Sequence, residues 1–263
     1  MKTFNTLKVE LGADGVAHLI LNRPDRKNAI SAEMMDELVA FAAMASDTPE
    51  MRVVVLRGAE GVFCAGGDLS WMMTQIKADR AGRMAEARRL ANMLKALNEM
   101  PVPLIGRVEG VAMGGGAGLA CVCDLAIAAD DCRFGFTETR LGIIPATISP
   151  YVLARIGEGA ARQVMMNAEL FQGPRAVELG LVARSVSASQ LDMAVAEAVA
   201  PYLKLPKEAV GRTKRLIRSL GAQIDASVID GTIEQLADAW ESDCAEKGIA
   251  AFLNKTPAPW AKG

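Results

Sequence analysis

RVEGVAMGGGAGLACVCDLAIAAD, residues 107–130, carries Gly114-Gly115-Gly116 and a fourth glycine, Gly118, inside an otherwise apolar run. Before the glycines, Leu104 to Val108 has the short apolar profile of a buried strand. After them, Ala117 to Cys123 fits a short apolar helix and Leu125 to Ala128 the next strand. A strand that turns through glycines into a helix leaves N–H groups unpaired at the helix start. Together with the positive end of the helix dipole, such groups stabilise an anion or a developing oxyanion. Glycine also admits a ligand close to the backbone, with no Cβ between them. Tight strand–helix packing alone would ask for the same residues, so the run needs company before it means chemistry.

That company lies upstream. Leu7 to Glu10 and Val16 to Leu21 flank Gly12-Ala13-Asp14-Gly15 as a hairpin, which Asn22-Arg23-Pro24-Asp25 ends as a turn. Ser31 is placed to cap a helix through about Met44, on which Met34, Leu38, Phe41 and Ala42 recur at helical spacing. Val53 to Leu56 is a continuous apolar run, the pattern of a strand buried on both faces. A second glycine-bearing loop, Gly61 to Leu69, follows directly. Two glycine loops after separate strands can each offer one N–H to the same oxygen, the two-donor arrangement of acyl chemistry. Ser70 to Met100 then reads as one long helical stretch closed by Pro101 and Pro103. Its methionines Met72, Met73, Met84 and Met93 are core filler or, for the first two, the wall of an adaptable acyl pocket.

Downstream, Glu138 is the only acid in the apolar segment from Cys132 to Ile156. A carboxylate in such surroundings has its pKa raised, which suits proton transfer. From about Pro150 the chain is helical, broken near Phe171 to Pro174; Val177 to Val182 ends a helix at a glycine and enters a short strand. From Gln190 to Phe252 only helices are expected, interrupted at Pro201 and Pro206, with a short Pro-bearing tail from Asn254 to Gly263. Alternating strands and helices followed by helices alone predict an α/β core with a C-terminal helical region.

Composition narrows the function. The 263 residues suffice for a sizeable core, and a formal net charge of −2 gives no basic excess to track nucleic acid phosphates. The most apolar stretch, Val111 to Ala129, contains Asp124 and glycines, so it is core and not a membrane span. The N-terminal MKTFNTLKVELGADG lacks the apolar block of a signal peptide. Five cysteines (Cys64, Cys121, Cys123, Cys132 and Cys244) and one histidine provide no zinc spacing, so no metal is expected. Reduced, buried thiols at Cys121 and Cys123 point to the cytoplasm. The single His18 lies on an alternating strand, and a satisfied strand histidine is preferred there over a hydrolase triad.

The ordered set Leu21-Asn22-Arg23-Pro24…Asn28-Ala29, Phe63-Cys64-Ala65-Gly66-Gly67-Asp68 and Glu109-Gly110-Val111-Ala112-Met113-Gly114-Gly115-Gly116 carries a family likeness. With Cys123-Asp124, Phe134-Gly135 and Leu141-Gly142-Ile143-Ile144-Pro145, it resembles the enoyl-CoA hydratase/isomerase (crotonase) superfamily over almost the whole chain. The resemblance implies an α/β fold with a crotonase-like ββα-spiral core over residues 1–195. It also implies a helical oligomerisation or lid region over 196–263, and a homotrimer or dimer of trimers. The substrate would be an acyl-CoA thioester, with coenzyme A part of the substrate and no separate cofactor, no nucleic acid and no membrane partner. Carried over by motif, Gly67 and Gly115 supply the oxyanion N–H groups, and Ala65, Gly66, Asp68 and Leu69 border the adenine and pantetheine. Lys27 and Ala29 resemble residues near the pantetheine and phosphates. Phe252 and Lys255 resemble a Phe-x-x-Lys that reaches the nucleotide end, although Lys255 fits a solvated tail lysine equally well.

One departure stands out. Hydratases of this family typically carry two glutamates; Glu138 matches the second, and the first falls on Gly118. That glycine, with Phe136 to Leu141 and Ile144-Pro145-Ala146-Thr147-Ile148-Ser149-Pro150-Tyr151, is similar to bacterial hydratases of 3-methylglutaconyl-CoA and isohexenylglutaconyl-CoA. These belong to leucine and acyclic terpene catabolism. The expected activity is hydration of a branched 3-substituted glutaconyl-CoA, the isohexenyl compound slightly favoured, with Glu138 moving the proton and Gly118 making room for the substituent. The missing base would be a water held by backbone groups or the substrate's distal carboxylate. Arg140 would pair with that carboxylate or, the preferred alternative, form a structural salt bridge. The rivals are a double-bond isomerase, which needs one carboxylate only, and a catalytically silent CoA-thioester binder.

Overall fold

The computed structural model describes residues 3–261, so Met1, Lys2 and the tail residues Lys262 and Gly263 lie outside it. β1 (Leu7–Leu11) and β2 (Val16–Leu21) form the expected antiparallel hairpin. β3 (Val53–Gly58), β4 (Leu104–Val108), β6 (Leu125–Ala129) and β8 (Arg184–Val186) then add in parallel, giving a six-stranded sheet in the order β1-β2-β3-β4-β6-β8. Val53 to Leu56 is buried throughout, as a strand covered on both faces must be. α1 (Ala32–Ser46) starts where the Ser31 hydroxyl accepts the Met34 N–H at 3.2 Å.

The first departures from expectation lie in the long helix and in the strand before the glycines. The stretch from Ser70 to Met100 is two helices, α2 (Leu69–Lys77) and α3 (Arg80–Glu99). Ala78 is extended and the Asp79 carboxylate accepts the Gly82 N–H at 2.8 Å, so a new N-cap opens a second helix. A small parallel sheet of β5 (Val111–Met113) and β7 (Arg133–Gly135) was also not expected. The strand that runs into the glycines is therefore β5 and not β4. Three residues each leave too little periodicity to announce a strand.

After the sheet come α4 (Gly115–Val122), α5 (Ser149–Met165), α6 (Gly173–Glu178) and α7 (Leu191–Val199). They are followed by α8 (Lys207–Leu220), α9 (Ala226–Trp240) and α10 (Asp243–Leu253). The expected division at 195/196 cuts α7. Its residues Leu191, Ala194, Val195 and Val199 belong to the main core, packed on β4 and β6, so the helical region begins after Val199. α9 lies along α3, joining Ala87 and Ala91 to Ile229 and Ile233 in a satellite apolar cluster.

All five cysteines are free, and burial pushes the Cys64, Cys121, Cys123 and Cys132 thiols up to about 12, where no reactive thiolate forms. His18 sits on β2 opposite Glu10 and Val55, but it is not the satisfied histidine expected: its Nδ1 is buried without a partner among the described residues. No described helix is long and apolar enough to cross a membrane, and no cluster of three or more metal-ligating side chains occurs among the described residues.

Candidate active site

The two glycine loops meet because their backbones touch. Cys64 bridges to Ala112 on β5 through Cys64 N–H to Val111 O at 2.9 Å and Met113 N–H to Cys64 O at 3.1 Å. A Cβ on Gly116 would lie 2.4 Å from the Cys64 carbonyl oxygen, so only glycine lets α4 begin this close to the first loop. Gly114, at φ 48° and ψ −114°, makes the turn from β5 into α4 in a conformation that side chains avoid.

Both loops present an N–H to one cavity of about 420 Å³, whose wall includes Ala65, Gly66, Gly67, Gly115, Glu138 and Phe252. Ile30 donates to Gly66 O at 2.8 Å and accepts from Asp68 N at 2.9 Å. Those two bonds use one edge of the loop, so the Gly67 N–H between them points to the other. Gly115 is the first residue of α4, where an N–H has no carbonyl one turn back. Neither N–H meets an acceptor among the described residues. Two free donors, one of them at the start of a helix dipole, can hold a carbonyl oxygen that gains negative charge.

Glu138 opens a 3₁₀ turn, Glu138–Leu141, directly beyond β7. Its Oε2 is buried with no hydrogen-bond partner among the described residues. A Cβ on Gly114 would lie 2.7 Å from Oε1, which seats the carboxylate against the backbone beside the Gly115 N–H. Burial pushes the carboxyl up to about 7, against a smaller opposing pull from its own backbone N–H. A carboxyl titrating near neutrality next to two free N–H groups is equipped to give and take a proton.

Much of the remaining wall is apolar and includes Met35, Met72, Leu90 and Ile148 together with Leu236 and Trp240 of α9. Met72 is thus a lining residue as anticipated, Met93 is core filler, and Met73 does not reach the wall. Thr147 also lines the cavity, and its Oγ1 is buried without a partner among the described residues. Nothing in the sequence singled Thr147 out, because a lone threonine near a helix start has many uses.

Other expected residues land elsewhere. Gly118 does not line the cavity: Ile148 fills the space beside it, with Cγ2 at 2.6 Å from where a Cβ would sit. The room for a substituent is therefore not at Gly118. Asp68 faces inward, 4% exposed, where it pairs with Arg23 at 2.8 Å and caps α2 through the Ser70 and Trp71 N–H groups. Burial alone would raise its pKa, but Arg23 and those N–H groups outweigh burial and hold the carboxyl below the usual range. Leu69 is 51% exposed and outside the wall. Ala29 is buried, its carbonyl taken by Arg23 at 2.6 Å; Lys27 is exposed, its carbonyl accepting the Ala65 N–H at 3.0 Å beside the cavity. Lys255 is exposed just beyond α10 and does not line the wall. Arg140 lines the cavity, but the preferred salt bridge does not form. Its guanidinium donates to the Ala168 carbonyl at 2.5 Å, and no carboxylate pairs with it among the described residues.

The motif around Asn28 proves structural. Its buried amide accepts from Arg23 N at 2.9 Å and donates to the carbonyls of Ala59 and Val62, pinning the first loop to the hairpin.

Comparison with known proteins adds a lineage to this geometry. Residues 12–263 match the family model described as Enoyl-CoA hydratase/isomerase. A Thermus thermophilus protein assigned as an enoyl-CoA hydratase is 32% identical, over 95% of this chain and 98% of its own. The structure of Pseudomonas aeruginosa AtuE is 38% identical, with a TM-score of 0.79, over 98% of this chain and 100% of that one. An enoyl-CoA hydratase from Shewanella pealeana superimposes with a TM-score of 0.80 at 33% identity, over 98% and 96% of the two chains.

Proposed function

The chain belongs to the enoyl-CoA hydratase/isomerase family, and on that premise we propose that it adds water across the α,β double bond of a branched 3-substituted glutaconyl-CoA. The observation that carries this reading is the presence on one apolar cavity of Glu138, a carboxyl titrating near neutrality, two free N–H groups and Arg140, which pairs with no carboxylate among the described residues. The Gly67 and Gly115 N–H groups hold the thioester oxygen and stabilise the enolate-like transition state, each donor being worth about 3–4 kcal/mol in comparable sites. Glu138, protonated, delivers its proton to the α-carbon while a water oxygen bonds to the β-carbon. The proton released by that water returns to the Glu138 carboxylate, so one side chain does the work of two and the addition is syn. Thr147, on the cavity wall with a hydroxyl that has no partner among the described residues, is our candidate to orient the water, in place of the carboxylate absent at Gly118. Arg140 receives the distal carboxylate of the substrate, and Met72, Met35 and Leu90 accept the substituent; the size and softness of this wall favour isohexenyl over methyl. Lys27, Lys255 and Phe252 lie toward the outside, where the nucleotide end of coenzyme A would run.

The test is loss of enoyl-thioester ultraviolet absorbance with crotonyl-CoA, 3-methylglutaconyl-CoA and isohexenylglutaconyl-CoA side by side. Faster loss with a glutaconyl substrate than with crotonyl-CoA is expected. No loss with any of them, together with conversion of a 3-enoyl thioester without uptake of water, would replace the hydratase by an isomerase.

A further inference from the structure

A second cavity, of about 690 Å³, lies between α5 and α8 and shares no lining residue with the first. The two are joined by α4. Gly115 at its start borders the first cavity and Cys121 near its end borders the second, across a helix of eight residues or roughly 12 Å.

The polar groups on the second wall divide into two sets. Lys214 Nζ pairs with Asp124 Oδ2 at 2.7 Å, and the Arg155 guanidinium donates to the carbonyls of Cys121, Cys123 and Asp124. Those two cations are committed to the end of α4. Three other groups make no side-chain hydrogen bond among the described residues: the Tyr151 hydroxyl and Arg218 Nε, both buried, and the Asn98 amide, 7% exposed. Tyr151 is 2% exposed, so its hydroxyl has no bulk water in place of a partner. It lies within electrostatic reach of Arg218, as does the exposed Glu99. The wall carries three cations, Arg155, Lys214 and Arg218, against the one carboxylate of Asp124. The remainder is largely apolar, including Leu205, Pro206, Val210, Ile217 and Ile224.

We propose that this cavity is a second ligand site, which takes a small monocarboxylate with an apolar body. The carboxylate pairs with Arg218 and accepts from the Tyr151 hydroxyl and the Asn98 amide; the body lies on Val210, Leu205 and Ile224. A buried hydroxyl without a partner costs stability, and a guanidinium offers a carboxylate two parallel donors, so one carboxylate satisfies both groups at once. A dianion suits the site less well, because Asp124 and Glu99 flank the single uncommitted cation. The occupant would rest at the far end of the helix that supplies the Gly115 N–H.

The experiment is calorimetric titration of the full chain with hexanoate, 1-hexanol and inorganic phosphate, with saturating hexanoyl-CoA present throughout to fill the first cavity. Hexanoate is expected to bind saturably, one per chain, and at least 10-fold more tightly than hexanol or phosphate. Arg218→Gln should weaken it at least 10-fold and the isosteric Tyr151→Phe about 3-fold or more, with circular dichroism and thioester turnover unchanged in both. If one variant does not fold, the other decides. Absence of saturable hexanoate binding, binding indifferent to both substitutions, or phosphate binding as tight as hexanoate would each overturn the proposal.

Discussion

Ile148 stands in the place of the side chain that Gly118 lacks: a Cβ on residue 118 would lie 2.6 Å from Ile148 Cγ2 and 3.0 Å from Ile148 Cβ. Both atoms belong to a branched, stiff side chain that is itself 3% exposed, so it has little room to give. Gly118→Ala should therefore destabilise the fold by about 1–3 kcal/mol, although alanine is the better helix former. Combining it with Ile148→Ala should lose less than the sum of the two single changes. Urea unfolding of the four proteins in the cycle checks this. Additive losses would mean that the two positions do not compete for one space.

Glu138→Gln keeps the shape of the side chain and removes its exchangeable proton. Hydration should fall by about 10²–10⁴-fold with thioester binding largely retained. In the proposed mechanism the protonated form starts the reaction, so kcat/KM should decline as pH rises through about 7. Stopped-flow absorbance across pH 5.5–8.5 would show that limb in the wild type and not in the variant.

The same carboxyl affects folding. Its ordinary value is 4.5 and its folded value about 7. Between those two, the unfolded chain has lost the proton that the folded chain keeps, so the folded state binds more protons and stability falls as pH rises. The loss, complete above pH 7, is about 3 kcal/mol at one pKa unit per 1.4 kcal/mol. Denaturant midpoints at pH 5 and pH 8 should converge in Glu138→Gln, once compared with the wild-type difference.

Thr147→Val removes a hydroxyl at nearly constant volume, whereas Thr147→Ser keeps it. Valine should lower kcat about 10-fold or more with little change in KM, and serine should restore most of it. Equal rates for the two variants would release Thr147 from holding water and leave it a packing residue.

Arg140→Leu tests the other end of the substrate. The KM for glutaconyl thioesters should rise at least 10-fold, a charge-assisted hydrogen bond being worth about 1.5–3 kcal/mol, while that for crotonyl-CoA stays level. An equal rise for both would point to loss of the Ala168 contact and a disturbed cavity wall.

Much of this architecture was legible in the residues. The hairpin, the Ser31 cap, Val53 to Leu56, Leu104 to Val108 and the helices beyond Gln190 all carry local signals strong enough to stand alone. Two glycine loops on one cavity and the burial of Glu138 followed from the glycines and from one acid in apolar company, whereas Gly67 and Gly115 were singled out by the family resemblance. What escaped was set by partners distant in sequence. β5 and β7 exist because they pair with each other, β5 also with Cys64 and β7 with Phe171, and neither has a period of its own. Gly118 suggested empty space, since a missing side chain says nothing about which neighbour, here Ile148, moves in. Asp68 suggested a ligand contact, and its partner Arg23 lies 45 residues away.

The acid-bearing turn has its lid built elsewhere in the chain. α10 presses on it so closely that a Cβ on Gly248 would lie 2.5 Å from the Leu141 carbonyl, and Ile143 packs with Ala245 and Ile249. Glu138 and the first residue of α10 are 105 positions apart. A polypeptide leaves the ribosome from its N-terminal end, so the turn emerges well before its cover is made. The turn that carries Glu138 thus takes its packing partners, Gly248 against Leu141 and Ala245 and Ile249 against Ile143, from sequence made about a hundred residues later.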